Sequence, residues 1–117
     1  MNYFSDEELK CKCCGVNGFN EDTLSRLNEL REAVGSPIII NSAYRCETHN
    51  NHIGATQTHA SGQAVDIKIR GKEACRLIGK AISLGFTGSG VKQKGSNRFI
   101  HLDDLNESDN RPWIWSY

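Results

Sequence analysis

His59 is followed seven positions later by Asp66, inside the run THASGQAVDIKI that spans residues 58–69. An imidazole nitrogen and a carboxylate oxygen are donor types that hold a divalent metal, with zinc first among the candidates. A catalytic zinc takes three protein ligands and keeps one position open for water, so this pair needs a partner. His101 is the candidate third ligand, because in FIHLD (99–103) it alternates away from Ile100 and Leu102. His49 and His52 are three apart, but no carboxylate follows them at the spacing of a helical zinc motif. They are read as surface residues or as residues behind the ligands.

The elements that must position these groups follow from local pattern. In the central run, Ala64, Asp66 and Lys68 alternate with Val65, Ile67 and Ile69. This reads as a strand with one buried face, entered through a turn at Gly62 that folds His59 back over Asp66. Ser5 and Glu8 have capping-box spacing and predict a short helical turn ending near Leu9. Asn20 caps a helix carrying Leu24, Leu27, Leu30 and Val34, with Gly35 as its stop. Ile38, Ile39 and Ile40 predict a buried strand running into Asn41 and Ser42. Ala74, Leu77, Ile78 and Ala81 predict a second core helix over 72–84, stopped by Gly85. The glycine-rich segment GFTGSGVKQKGSN lacks the lysine-serine ending of a phosphate loop and is expected to form a hairpin or a flexible rim.

Bulk properties narrow the function classes. A chain of 117 residues is expected to form one domain. Fourteen basic residues balance fourteen acidic ones, which leaves no electrostatic footprint for nucleic acid or an anionic membrane. No apolar run approaches the roughly 20 residues of a membrane span. The start, MNYFSDEELK, is acidic where a secretory signal is basic, so synthesis in the cytoplasm is expected. With no such signal, the five cysteines are expected to be reduced. Cys11, Cys13 and Cys14 could hold a second, structural zinc with a distant fourth ligand, but the run is read as lacking knuckle spacing. It is taken instead as a turn carrying thiols, with Cys75 on the buried face of a helix. A cysteine-dependent enzyme built on Cys46 near His49 would need a depressed thiol pKa, which nothing in the sequence supplies.

Three separated motifs give the chain a resemblance to a known family. His59, Gly62, Ala64 and Asp66 fit the pattern S-x-H-x-x-G-x-A-x-D, with Gln57 in place of the serine. Ser42, Ala43, Tyr44 and Arg45 fit an upstream S-G/A-Y-R element, and Phe99, His101 and Asp103 fit F-x-H-x-D. In these residues, and in the closing RPWIWSY, the chain resembles the zinc D-Ala-D-Ala carboxypeptidases. That family includes phage L-alanyl-D-glutamate endolysins and shares its fold with the Hedgehog signalling domain.

The resemblance implies zinc on His59, Asp66 and His101, with Arg45 binding the substrate carboxylate or polarising the scissile carbonyl and Tyr44 beside it. Many members carry an acidic general base three residues before the last histidine ligand; here that position is Arg98, a cation that cannot accept a proton. Asp103 is the substitute candidate for the base, and orienting His101 is its alternative role. Asp104, Glu107 and the histidines His49 and His52 stay open as bases. Trp113, Trp115 and Tyr117 are expected to pack as a terminal strand rather than to line the cleft.

The expected fold is α+β, with a small, mostly antiparallel sheet packed on two main helices. The expected function is zinc peptidase action on the D-amino-acid-containing stem peptide of bacterial peptidoglycan, by a monomer that a phage lysis system would release to the wall. A zinc-stabilised wall-binding or phage structural module without turnover is the alternative.

Overall fold

A computed structural model describes residues 2–46 and 61–117. His49, His52, Gln57 and His59 lie outside the described residues. The elements in chain order are α1 (Asp6–Leu9), α2 (Glu21–Val34), β1 (Ile39–Ser42), β2 (Ala64–Lys68), α3 (Gly71–Ser83), β3 (Gly88–Lys92), β4 (Phe99–Asp103) and β5 (Trp113–Ser116). A 3-10 turn, Glu107–Asp109, precedes β5.

The helices end where their residues dictate. The Ser5–Glu8 capping box is formed on both sides at the start of α1. Asn20 accepts from the amides of Asp22 and Thr23 at 2.9 and 3.0 Å, which satisfies two donors that α2 leaves open. Gly35 closes α2 in the left-handed region at φ 76°.

The five strands form one sheet in the order β1-β2-β4-β3-β5. All neighbours run antiparallel except β3 and β5, which are parallel. The architecture is α+β, as expected. One face of the sheet is the core: Val65, Ile67, Ile100 and Leu102 are buried against Leu27 and Leu30 of α2 and Leu77 of α3. Each such side chain, fully buried, contributes about 1.5–3 kcal/mol. The opposite face carries the polar residues of the same strands.

Two expectations are corrected. The isoleucine run is an edge strand, not a buried one: Ile38 is buried, but Ile39 is 58% exposed. Cys75 is exposed on α3 rather than packed in the core. The glycine-rich segment forms the expected hairpin: Gly88 and Gly90 lie in β3, and residues 93–98 form the turn between β3 and β4.

Two glycines in β3 shape the polar face. A Cβ on Gly88 would overlap the Asp103 carboxylate and Arg111, and one on Gly90 would stand 2.6 Å from the Trp115 indole nitrogen. Gly62 does a third task. It sits at φ 77° against the loop before α2, where Asn20 N donates to its carbonyl at 2.8 Å and a Cβ would overlap the Gly18 carbonyl oxygen.

Gly62→Ala therefore combines left-handed strain with steric overlap and should cost about 2–4 kcal/mol in urea denaturation. Gly71→Ala shares the positive φ but meets nothing within 4 Å, and should cost only about 1 kcal/mol. Equal losses would show that Gly62 does not need the close approach.

Candidate active site

Strand register lines up the polar face. Ser42 of β1, Asp66 of β2, His101 of β4, Gly90 of β3 and Trp115 of β5 stand side by side in one row across the sheet. A bulge in β1 sets the first place: Ile40 pairs with Ile67, yet Ser42 and not Asn41 pairs with Asp66.

His101 is the centre of this row and is 3% exposed. Its Nδ1 lies 3.0 Å from Asp66 Oδ1, and its Nε2 lies 2.7 Å from Asp103 Oδ2. Burial disfavours the charged imidazole, but hydrogen bonds to Asp103 and Asp66 outweigh it and raise the His101 pKa above 6.5. A cation thus belongs between His101 Nδ1 and Asp66: in the absence of a metal that cation is a proton. The donor types are those of a zinc site, so the two residues fit the ion that the motif implies.

Asp103 is 0% exposed and saturated with partners. Arg111 grips it with both arms of the guanidinium, Nε to Oδ1 and Nη2 to Oδ2, each at 2.8 Å. Burial pushes its pKa up, but the hydrogen bonds from Arg111 and His101 win and hold it at about 2. The Arg111 guanidinium in turn lies 5.1 Å from the Trp115 ring centroid, and the Trp115 ring lies 5.1 Å from that of His101. Tyr117 extends the wall: its ring is 5.1 Å from Phe99 and meets Trp115 edge-on. Trp115 is half-buried against His101, so packing and lining are the same role for it, while Trp113 and Tyr117 are exposed.

The upstream motif is held by the N-terminal segment. Tyr44 N donates to Leu9 O at 3.1 Å, and the Tyr44 ring covers Gly18, where a Cβ would come within 2.6 Å. Arg45 follows. Burial lowers its pKa, against the pull of the Asp66 carboxylate, and its Nε is buried with no hydrogen-bond partner among the described residues. A charged donor in that condition suits an anionic ligand.

Other candidates are placed elsewhere. Asp104 accepts from Thr23 at 2.8 Å and from Arg26 at 2.5 Å, tying the end of β4 to α2. Glu107 is exposed in the 3-10 turn. Arg98 donates to Gly95 O at 3.0 Å across the hairpin turn. Arg111, Gly88 and Gly90 were missed as site residues; the signal was an Asp103 with no assigned counter-charge and a strand with glycine at two alternate positions.

The family model for peptidase M15 matches residues 2–103. The chain belongs to that peptidase family. No curated protein matches it. The matched span of the M15 chain takes in Arg45, Asp66, His101 and Asp103 and stops before Arg111.

The site predicts an acid limit and an alkaline limit for the metal-free protein. Asp103 is depressed, so its stabilisation is present above its unfolded value of 3.8 and is lost as the pH falls toward about 2, a loss of roughly 2 kcal/mol. His101 is raised, so its stabilisation is complete below 6.5 and is lost as the pH climbs through its folded value. Urea unfolding of chelator-treated protein across pH should show a plateau between those limits. Asp103→Asn should cost about 3–5 kcal/mol on the plateau, since His101 and Arg111 lose a buried partner, and should remove the acid limb. An unchanged acid limb in that variant would sink the assignment.

Proposed function

We propose that this M15 chain is a zinc metallopeptidase that hydrolyses D-amino-acid-containing bonds in bacterial peptidoglycan stem peptides. The observation that carries the reading is a buried histidine presenting Nδ1 to Asp66 while its other nitrogen is fixed by an anchored carboxylate. Metal-binding histidines are commonly held in this way.

Asp66 and His101 would hold zinc together with His59. A zinc ion there supplies Lewis acidity, polarising a carbonyl and acidifying water toward neutrality. The chain's own residues do the rest. Asp103 keeps the proton on His101 Nε2 and leaves Nδ1 as the donor; its contacts support this orienting role over that of the base, because a carboxylate at about 2 that already serves Arg111 and His101 is a weak proton acceptor. Arg111 keeps Asp103 anionic. Arg45 offers its unpartnered Nε to a substrate carboxylate or to the developing oxyanion. Tyr44, covering the Gly18 loop, positions Arg45 and borders the substrate. Trp115 covers the His101 ring on the β5 side. A monomer made in the cytoplasm and released to the wall by a phage lysis system fits this substrate.

A second reading is a zinc-stabilised wall-binding module without turnover. Arg98, standing where related enzymes carry an acid and spent on the Gly95 carbonyl, favours it.

Incubation with peptidoglycan should release new amine termini when zinc is present and none after chelation. Arg45→Ala should lower the rate by about 10²–10³ with zinc still bound, the cost of one oxyanion donor. His59→Ala and His101→Ala should abolish zinc-dependent activity, whereas His52→Ala should leave it nearly unchanged. Stoichiometric zinc without new termini would establish the second reading instead.

A further inference from the structure

Just after Arg45 in the chain, Cys46 joins Cys11 and Cys14 in a cluster whose thiols lie within 4.8 Å of one another. Cys11 and Cys46 are 35 positions apart in sequence, and their sulfurs are 3.6 Å apart. Four sulfurs around a zinc at about 2.3 Å stand about 3.8 Å from each other in a tetrahedron. The observed spacing is close to that figure. Cys11 and Cys14 also have the Cys-x-x-Cys spacing of a zinc knuckle, which the reading of the run as a crowded turn overlooked.

The backbone around them is built as a closed turn. Cys11 N donates to Val16 O and Gly15 N to Cys11 O, both at 2.8 Å, with Gly15 at φ 75°. Backbone amides are directed at the sulfurs: Cys46 N donates to Cys11 Sγ at 3.4 Å, and Val16 N to Cys14 Sγ. The Cys13 thiol interacts with that of Cys46, which raises its pKa.

Packing does not account for this cluster. Cys11 is buried, but Cys13 and Cys14 are exposed, where a hydrophobic role has nothing to fill. A single disulfide would use two of the thiols and leave the others crowded against it.

We infer that Cys11, Cys14 and Cys46 bind a soft divalent metal, zinc by preference, with Cys13 as the fourth donor. The site is separate from the one proposed for catalysis and does not depend on that reading. It would clamp the N-terminal turn to the segment that carries Tyr44 and Arg45, where Leu9 O and Lys12 Nζ already bond Tyr44 N and Asn41 O.

The test uses the full chain, reduced and stripped of metal, titrated with cobalt(II) and separately with zinc. One equivalent of cobalt should give a thiolate-to-cobalt charge-transfer band in the near ultraviolet. The band should persist in His101→Ala and vanish in Cys14→Ser and in Cys46→Ser. Zinc loading of the wild type should reduce the thiols that react rapidly with a disulfide reagent from five to two or fewer, which is readable even if a serine variant fails to fold. Absence of the band in the wild type, a native Cys11–Cys46 disulfide by peptide mapping, or five thiols reacting alike with zinc present would each overturn the proposal.

Discussion

The site hangs on one buried carboxylate. Asp103 is fully enclosed at the end of β4, between an arginine fork and an imidazole. A buried charge without partners would cost several kcal/mol and would resolve itself by taking up a proton. Arg111 prevents that. Because Asp103 stays anionic, it can accept from His101 Nε2, and because that nitrogen is committed, Nδ1 is the one turned toward Asp66. The tautomer of the central histidine is therefore set through Asp103, by the guanidinium that grips that carboxylate.

This arrangement needs space that an ordinary strand would not leave. Side chains on one face of neighbouring antiparallel strands stand about 4.5–5.5 Å apart, so β3 would project into the region above β4. Gly88 and Gly90 vacate it, the first for the Asp103–Arg111 pair and the second for the Trp115 ring. The glycines cost strand stability, and the parallel addition of β5 beside β3 offsets part of that cost by pairing the edge they weaken. β5 thereby brings in Trp115, while Arg111 reaches Asp103 from just before it. The final strand is as much a part of the site as the motif strands.

Legibility in the sequence followed the range of the interaction. Caps at Ser5, Asn20 and Gly35 and the alternation of Val65 and Ile67 with Asp66 are local, and each is found where its residues point. The pairing of Asp66 with His101 could be read because both lie on alternating strands flanked by apolar residues. What could not be read was the counter-charge of Asp103: Arg111 is eight residues away, beyond an irregular loop, with nothing periodic to mark it. Ile39 misled for the opposite reason. β-branched residues favour strands whether central or at an edge, and only the sheet order reveals that β1 has a single neighbour among the described residues.

The contacts of Asp103 decide between its two possible roles. A general base must have a free lone pair and a pKa near the working pH, whereas an orienting carboxylate must have neither. Every contact Asp103 makes moves it toward the second condition: the arginine fork lowers its basicity, the histidine occupies the oxygen nearest the site, and β3 leaves only glycine above it. Arg45 shows the converse. It is the charged group on this face whose donor is buried yet unspent among the described residues, so the electrostatic asymmetry of the site points from a satisfied carboxylate on β4 toward an unsatisfied guanidinium beyond β1. A peptide carrying a carboxylate would complete the second without disturbing the first.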